Sequence, residues 1–252
     1  TSSGISDTTA GGVAGYVDET AVAHGETAAR LAAGTTGGPI VTASSTYFAR
    51  AVGGQPIYPI ASYTTYTGED GTGAATTSYA YAWHTDSFRV LEETTTEPVV
   101  STGQNGSGTA ATAKQWFDSH GKPAWSMDEL GRVTFSAYDS LTGQLAETIA
   151  DIDDATADSL SLAIPTGWTL PSSGGVNAVT DYQHDPFGRL TQTLGPEHVA
   201  DVGGIATSVR TAAWTAYRDA AHETRTAQGY AEYNAESGHW DIFSIVGPIS
   251  IV

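Results

Sequence analysis

The chain has 252 residues, with 10 Lys and Arg against 28 Asp and Glu, 29 Gly and no Cys. That length can bury a real core in one large domain or two ordinary ones, and a net charge of −18 sets the surface against phosphate backbones, so nucleic acid is not an expected partner. Without Cys, disulfide frameworks, thiolate zinc sites and thiol nucleophiles are excluded together, and since no apolar run reaches the ~18–20 residues of a spanning helix, membrane insertion is not expected either.

Residues 1–46 are rich in Gly, Ala, Thr and Ser, with breakers at Gly11-Gly12, Gly34 and Gly37-Gly38. The stretch from Glu19 to Leu31 contains adequate helix formers in Ala21, Ala28, Ala29 and Leu31, but its apolar face is thin. The expectation is an extended leader, ordered by packing against something else such as a neighbouring copy. The chain begins at Thr1 rather than Met, which fits a mature product or a piece of a longer precursor.

Residues 47–150 read as a β-repeat region of short aromatic and β-branched runs between Gly-containing turns. Ser78 to Trp83 alternates strictly, so Tyr79, Tyr81 and Trp83 share one side of a strand. Phe88-Arg89-Val90-Leu91 with Thr94-Thr95-Thr96 supplies the return strand, limited by Pro98. Residues 103–108 make a loop with an Asn105-Gly106 turn signal, and Asn105-Gly106-Ser107 also matches the N-glycosylation sequon.

Residues 151–180 interrupt this texture. Asp151, Asp153, Asp154 and Asp158 precede Pro165, Gly167, Pro171 and Gly174-Gly175, which reads as a loop inserted between two β-rich parts. The four carboxylates are candidate ligands for Ca²⁺, a cation that takes six to eight oxygens. The EF-hand spacing is missing, with no Gly at its sixth position and no Glu at its twelfth, and a solvated acidic loop is the alternative. Residues 181–252 form a second β-repeat region. Its end, from Asp241 to Val252, is β-prone and nearly uncharged, so it must be paired within the fold or lent to another chain.

The most informative pattern recurs: Phe117-Asp118 to Gly121, Met127-Asp128 to Gly131-Arg132-Val133, Tyr138-Asp139 to Gly143-Gln144-Leu145, and His184-Asp185 to Gly188-Arg189-Leu190. Each is Asp, two or three residues, then Gly. An Asp side chain can accept from backbone N–H groups just ahead, Gly supplies a positive φ, and the aliphatic residue restarts the inward face. Units repeating at hairpin spacing must stack to bury their apolar sides.

Tyr138-Asp139 through Leu145 and Asp185 through Leu190 resemble YD repeats of the Rhs/teneurin class. The longer frame, Thr94 to Pro98, Gln104 to Gly108, Met127 to Gly131 and Leu194-Gly195-Pro196, is similar to large Rhs-type surface proteins of planctomycete-like bacteria. The resemblance covers about residues 80–230. It implies an all-β fold of antiparallel hairpin repeats, which in the family spiral into a hollow shell that encloses a toxin or belongs to an adhesion protein. This chain has too few repeats to close such a shell alone.

Signals for chemistry are sparse. His222-Glu223 opens a metalloprotease-like motif, but position 226 is Thr. The seven His (24, 84, 120, 184, 198, 222 and 239) are scattered singly. Carboxylates accompanied by Trp116, Trp125, Trp168, Trp214 and Trp240 also fit a carbohydrate-active enzyme, a distant alternative to rings that space a repeat sheet. No catalytic or cofactor-binding residue is expected. The expected function is that of an extracellular or cell-surface structural subunit that assembles with its own copies by strand exchange into a fibre, tube or layer. The alternative is a processed segment of a larger Rhs-type shell or adhesin that binds a partner protein or a glycan.

Overall fold

The computed structural model describes residues 4–22, 39–68 and 71–252, and antiparallel strands dominate it. The chain divides into two compact units, Thr1–Pro123 with Met127–Gly131, and Ala124–Ser126 with Arg132–Val252. The division falls well before the 151–180 segment.

In the first unit β1 (Glu19–Val22) pairs with β2 (Ile40–Tyr47). β3 (Arg50–Val52) and β4 (Gln55–Ile57) form a separate hairpin. β2 then pairs with β5 (Ile60–Thr65), and pairing continues in chain order through β6 (Ala75–Trp83), β7 (Val90–Thr96) and β8 (Thr112–Phe117). The helix-forming tendency from Glu19 gives way at its start, because Glu19–Val22 is strand; pairing with β2 overrides a weak local preference. The rest of that stretch, 23–31, lies outside the described residues. β2 runs across position 46, so the leader as read from the sequence ends inside a strand.

β6 follows the alternation in its sequence, with Tyr79, Tyr81 and Trp83 partly covered and Ser78, Ala80 and Ala82 exposed. The rings gather rather than merely share a side. Tyr81 lies 5.6 Å from Trp83 and 6.4 Å from Phe48, centroid to centroid, and its hydroxyl donates to the Ile60 carbonyl at 3.0 Å. Burial, helped by Glu93, pushes the Tyr81 phenol up to about 12. β7 stops at Thr96, two residues before Pro98, which has no N–H to give a ladder.

The second unit takes the middle of β9 (Pro123–Met127) and continues with β10 (Val133–Tyr138) and β11 (Leu145–Ala150). After a long connection containing α1 (Asp154–Ser159), β12 (Ala178–His184) pairs back onto β11. β13 (Leu190–Val202), β14 (Ile205–Arg218), β15 (Glu223–Asn234) and β16 (His239–Ile245) follow in order, and β17 (Ser250–Ile251) returns to β15.

The core of this unit shows why the 151–180 segment is more than a solvated excursion. Ile152, Ala157 and Trp168 from the connection are buried, as are Trp125, Val133 and Ile149 from the strands. The Ile152 N–H donates to the Val133 carbonyl at 2.9 Å, and Trp125 packs on Phe135 at 4.8 Å. Burying a side chain such as Ile149 or Ile152 contributes about 1.5–3 kcal/mol. A second cluster joins Leu194, Ala212 and Ala231 from β13, β14 and β15, with Trp214 and Trp240 against it. Among the described residues no helix is long and apolar enough to cross a membrane.

Candidate functional site

The hairpin tips follow the chemistry read from their sequence. Oδ1 of Asp118, Asp128, Asp139 and Asp185 accepts the backbone N–H two residues ahead, from His120, Leu130, Leu141 and Phe187, at 2.8, 3.0, 3.1 and 2.9 Å. The carbonyls of the same Asp residues accept from Gly121, Gly131, Gly143 and Gly188 at 3.0, 2.9, 2.8 and 2.9 Å. Each of those glycines has φ between +71° and +81°, where a Cβ is disfavoured. Thr142 N–H and hydroxyl groups hold the Asp139 carboxyl below its usual range. Burial opposes the charge on Asp118, but donors from Lys122 and His120 outweigh it and lower its pKa.

A further tip of the same construction lies at Asn234, where the sequence reading placed none. Its Oδ1 accepts from Glu236 N–H at 2.9 Å, and its carbonyl accepts from Gly238 at 2.8 Å, with Gly238 at φ +73°. Tyr233-Asn234 to Gly238-His239-Trp240 has the spacing of Tyr138-Asp139 to Gly143-Gln144-Leu145, so an Asx-tolerant pattern would have found it. The ladder shifts register beside the ring before the tip at Tyr138, His184 and Tyr233 alike.

Neighbouring tips are tied by Arg189. Its Nε donates to Asp185 Oδ2 at 2.8 Å, and its two Nη atoms donate to the two Asp219 oxygens at 2.7 and 3.0 Å. Tyr217 and Phe187 flank the guanidinium at 4.1 and 5.2 Å from their ring centroids. The bond to Arg189 holds the Asp219 carboxyl below its ordinary range.

Two of the four acids of 151–158, Asp151 and Asp153, are placed with their carboxylates on backbone N–H groups. Asp151 Oδ2 accepts from Val176 N–H at 3.1 Å. Asp153, only 5% exposed, caps α1 through Thr156 N–H at 2.9 Å, and its own N–H donates to Asn177 Oδ1. Hydrogen bonds from Thr156 first, then from Asn177 and Gly175, outweigh burial and hold its carboxyl at about 2. Asp154 and Asp158 lie on α1 itself. Among the described residues no three His, Asp or Glu side chains form a group that could hold a metal ion. His222 and Glu223 sit at a turn and the start of β15, where Glu223 pairs with Arg218 and Arg225 at 3.2 and 2.7 Å.

The role of Arg210 has no marker in the sequence. The residue is 6% exposed and sits on β14. Its Nε donates to Gly195 O at 2.6 Å, one Nη to Asp181 Oδ2 at 2.6 Å, and the other to Val179 O and Leu194 O at 3.1 and 3.0 Å. It helps wall a cavity of about 580 Å³ together with Glu147, Asp181, Glu197, Asn177 and Trp240. Glu147 and Asp181 stand directly opposite on β11 and β12. Burial and the Asp181 charge raise the Glu147 pKa against the weaker pull of Arg210.

The last feature is an edge. β16 ends the strand order, and its partner is β15. The tail from His239 to Val252 follows β15 closely: Val246 N–H reaches Gln228 O at 2.8 Å, and Val252 and Thr224 exchange bonds at 2.8 and 3.0 Å. The apolar tail is thus paired within the fold. Its side chains are not covered, for Phe243, Ile245, Val246, Ile249, Ile251 and Val252 are all exposed.

No protein-family model matches the chain, and no curated protein matches it. Solved structures that it matches include the crystal structures of TcdB2-TccC3-TEV and TcdB2-TccC3-Cdc42. The first has a TM-score of 0.22 and 10% identity over 78% of this chain. The second has the same TM-score and identity over 79%. The chain spans 12% and 14% of the length of those chains, and a TM-score of that size does not establish a shared fold.

Proposed function

We propose that the chain is a non-enzymatic structural module, a YD-type hairpin sheet of an exported or cell-surface assembly, extended by strand pairing between its own copies. The observation that carries this reading is the β16–β17 border: a backbone ladder with no partner strand on its outer side among the described residues, flanked by six exposed apolar side chains. Such an edge is a template for another strand. Among the described residues β1 is also terminal at the other end of the strand order, and its four residues are all exposed. Two different terminal edges on one chain favour head-to-tail growth over a closed pair. The use made of the charged groups agrees, since Asp118, Asp139, Asp185, Arg189 and Arg210 are engaged in fixing turns and strands. The experiment is electron microscopy of the purified chain beside Ile245→Lys/Ile251→Lys, which puts two charges on the border without touching the core. Ordered polymers from the parent chain and none from the variant support the reading; identical dispersed particles from both overturn it.

A further inference from the structure

The Asn105-Gly106 pair that the sequence marks as a turn has no part in the strand ladders. It sits in the connection between β7 and β8, where Asn105 ends the short helical turn Thr102–Gln104 with its side chain exposed. The chain has three asparagines, and only this one precedes a glycine. The other two are held. Asn177 accepts from Asp153 N–H and donates to Gly175 O at 3.0 and 3.1 Å, and Asn234 Oδ1 accepts from Glu236 N–H at 2.9 Å. The Asn105 side-chain amide makes no hydrogen bond among the described residues. Gly106 is required there by room rather than by φ, since a Cβ would run into the Val100 carbonyl. The pair therefore cannot be broken up by replacing its glycine.

We propose that Asn105 is a site of spontaneous deamidation, gated by the loop from Ser101 to Gly108. The Gly106 nitrogen gives up its proton to hydroxide and attacks Asn105 Cγ; a C–N bond closes a five-membered succinimide as ammonia leaves. Water then opens the ring at either carbonyl, leaving aspartate or isoaspartate. Glycine presents no side chain to hinder the approach. In the closed loop the attack is blocked. Gly106 N–H donates to Ser101 O and Gly108 N–H to Val100 O, both at 3.0 Å, and at an Asn105 ψ of 20° the Gly106 nitrogen nearly eclipses the Asn105 nitrogen instead of standing beside Cγ. Ring closure needs that bond to open and ψ to turn. An exposed loop opens far more often than a packed ladder, so the reaction runs from the open loop. Its product holds the loop open, because isoaspartate carries the backbone through Cβ and adds a carbon where Gly106 has no room to spare beside Val100.

The test holds the full chain at pH 8 and 37 °C, folded in buffer and unfolded in urea, and reads aspartate and isoaspartate at the three asparagines by peptide mapping with mass spectrometry. In the folded chain conversion is expected at Asn105 ahead of Asn177 and Asn234, at least tenfold slower than in urea, and faster as pH rises. The slowing should match the protection of the Gly106 amide in hydrogen exchange, since both report the same opening. Gly108→Ala places a Cβ at φ +75° and should speed the folded-state reaction about tenfold by favouring the open loop, with the rate in urea unchanged. A melting curve of that variant shows whether it is folded, and the comparison with Gly106 exchange stands without it. Equal rates in buffer and urea, a slowing unrelated to Gly106 protection, or conversion of Asn177 or Asn234 before Asn105 overturns the proposal.

Discussion

Arg189 reaches from its own hairpin tip to the next and closes a fork on both oxygens of Asp219, at 2.7 and 3.0 Å, while its Nε holds Asp185 at 2.8 Å. An exposed ion pair alone contributes little. Here the planar group also lies over the Tyr217 and Phe187 rings, at 4.1 and 5.2 Å, a stacking that a lysine ammonium cannot reproduce. Arg189→Lys is therefore expected to lower the melting temperature by nearly as much as Arg189→Ala, in each case by a few degrees. Wild-type melting of Arg189→Lys would show that charge alone is enough.

Two glycines separate backbone conformation from close approach. Gly131 has φ +78° with nothing within 4 Å of an added Cβ, so Gly131→Ala should cost about 1–2 kcal/mol through strain alone. At Gly229 a Cβ would lie 1.9 Å from the Ser244 carbonyl oxygen, and β16 must move. Hydrogen exchange in Gly229→Ala should accelerate in β16, at 239–245, before the β14–β15 ladder, whereas Gly131→Ala leaves those amides protected.

Acid should weaken the fold. The Asp153 carboxyl at about 2 lies below the ~3.9 of an unfolded Asp, so its stabilisation is present above pH ~4 and is lost as pH falls toward 2. Asp118, Asp139, Asp185, Asp219 and Glu223 are shifted in the same direction. Glu147 has the opposite sign: its folded pKa is raised, so its contribution is present below the unfolded value and is lost as pH rises through the folded one. Melting curves should show Asp153→Asn with a flatter acid limb than wild type, since Asn can still cap α1. Glu147→Gln should gain on wild type from pH 4 to 7.

Arg210→Ala removes four donors from a site that is 6% exposed and leaves Asp181 and three carbonyls without them. A loss of about 3–5 kcal/mol in denaturant unfolding is expected. A loss below about 1 kcal/mol would mean that water replaces the guanidinium there.

What the sequence showed and what it hid divide by range. The tips at Asp118, Asp128, Asp139 and Asp185 were legible because donor and acceptor lie within five residues, and the ring stripe of β6 because alternation is local. Asn234 escaped only because the pattern was written with Asp. Arg210 was invisible for a different reason: its partners lie 15 to 31 residues away, and nothing in Val209-Arg210-Thr211 marks it. Asp153 reads in the sequence as a candidate cation ligand and stands in the structure as an N-cap, two roles that look alike until the backbone is placed. Ile152 and Trp168 gave the acidic connection a buried side that its Asp, Pro and Gly content concealed.

Sedimentation velocity over a hundredfold concentration range, on the intact chain and on Ile245→Lys/Ile251→Lys, addresses assembly directly. The intact chain should sediment faster as concentration rises while the double variant stays monomeric. A single unchanging monomer boundary for the intact chain would contradict the account.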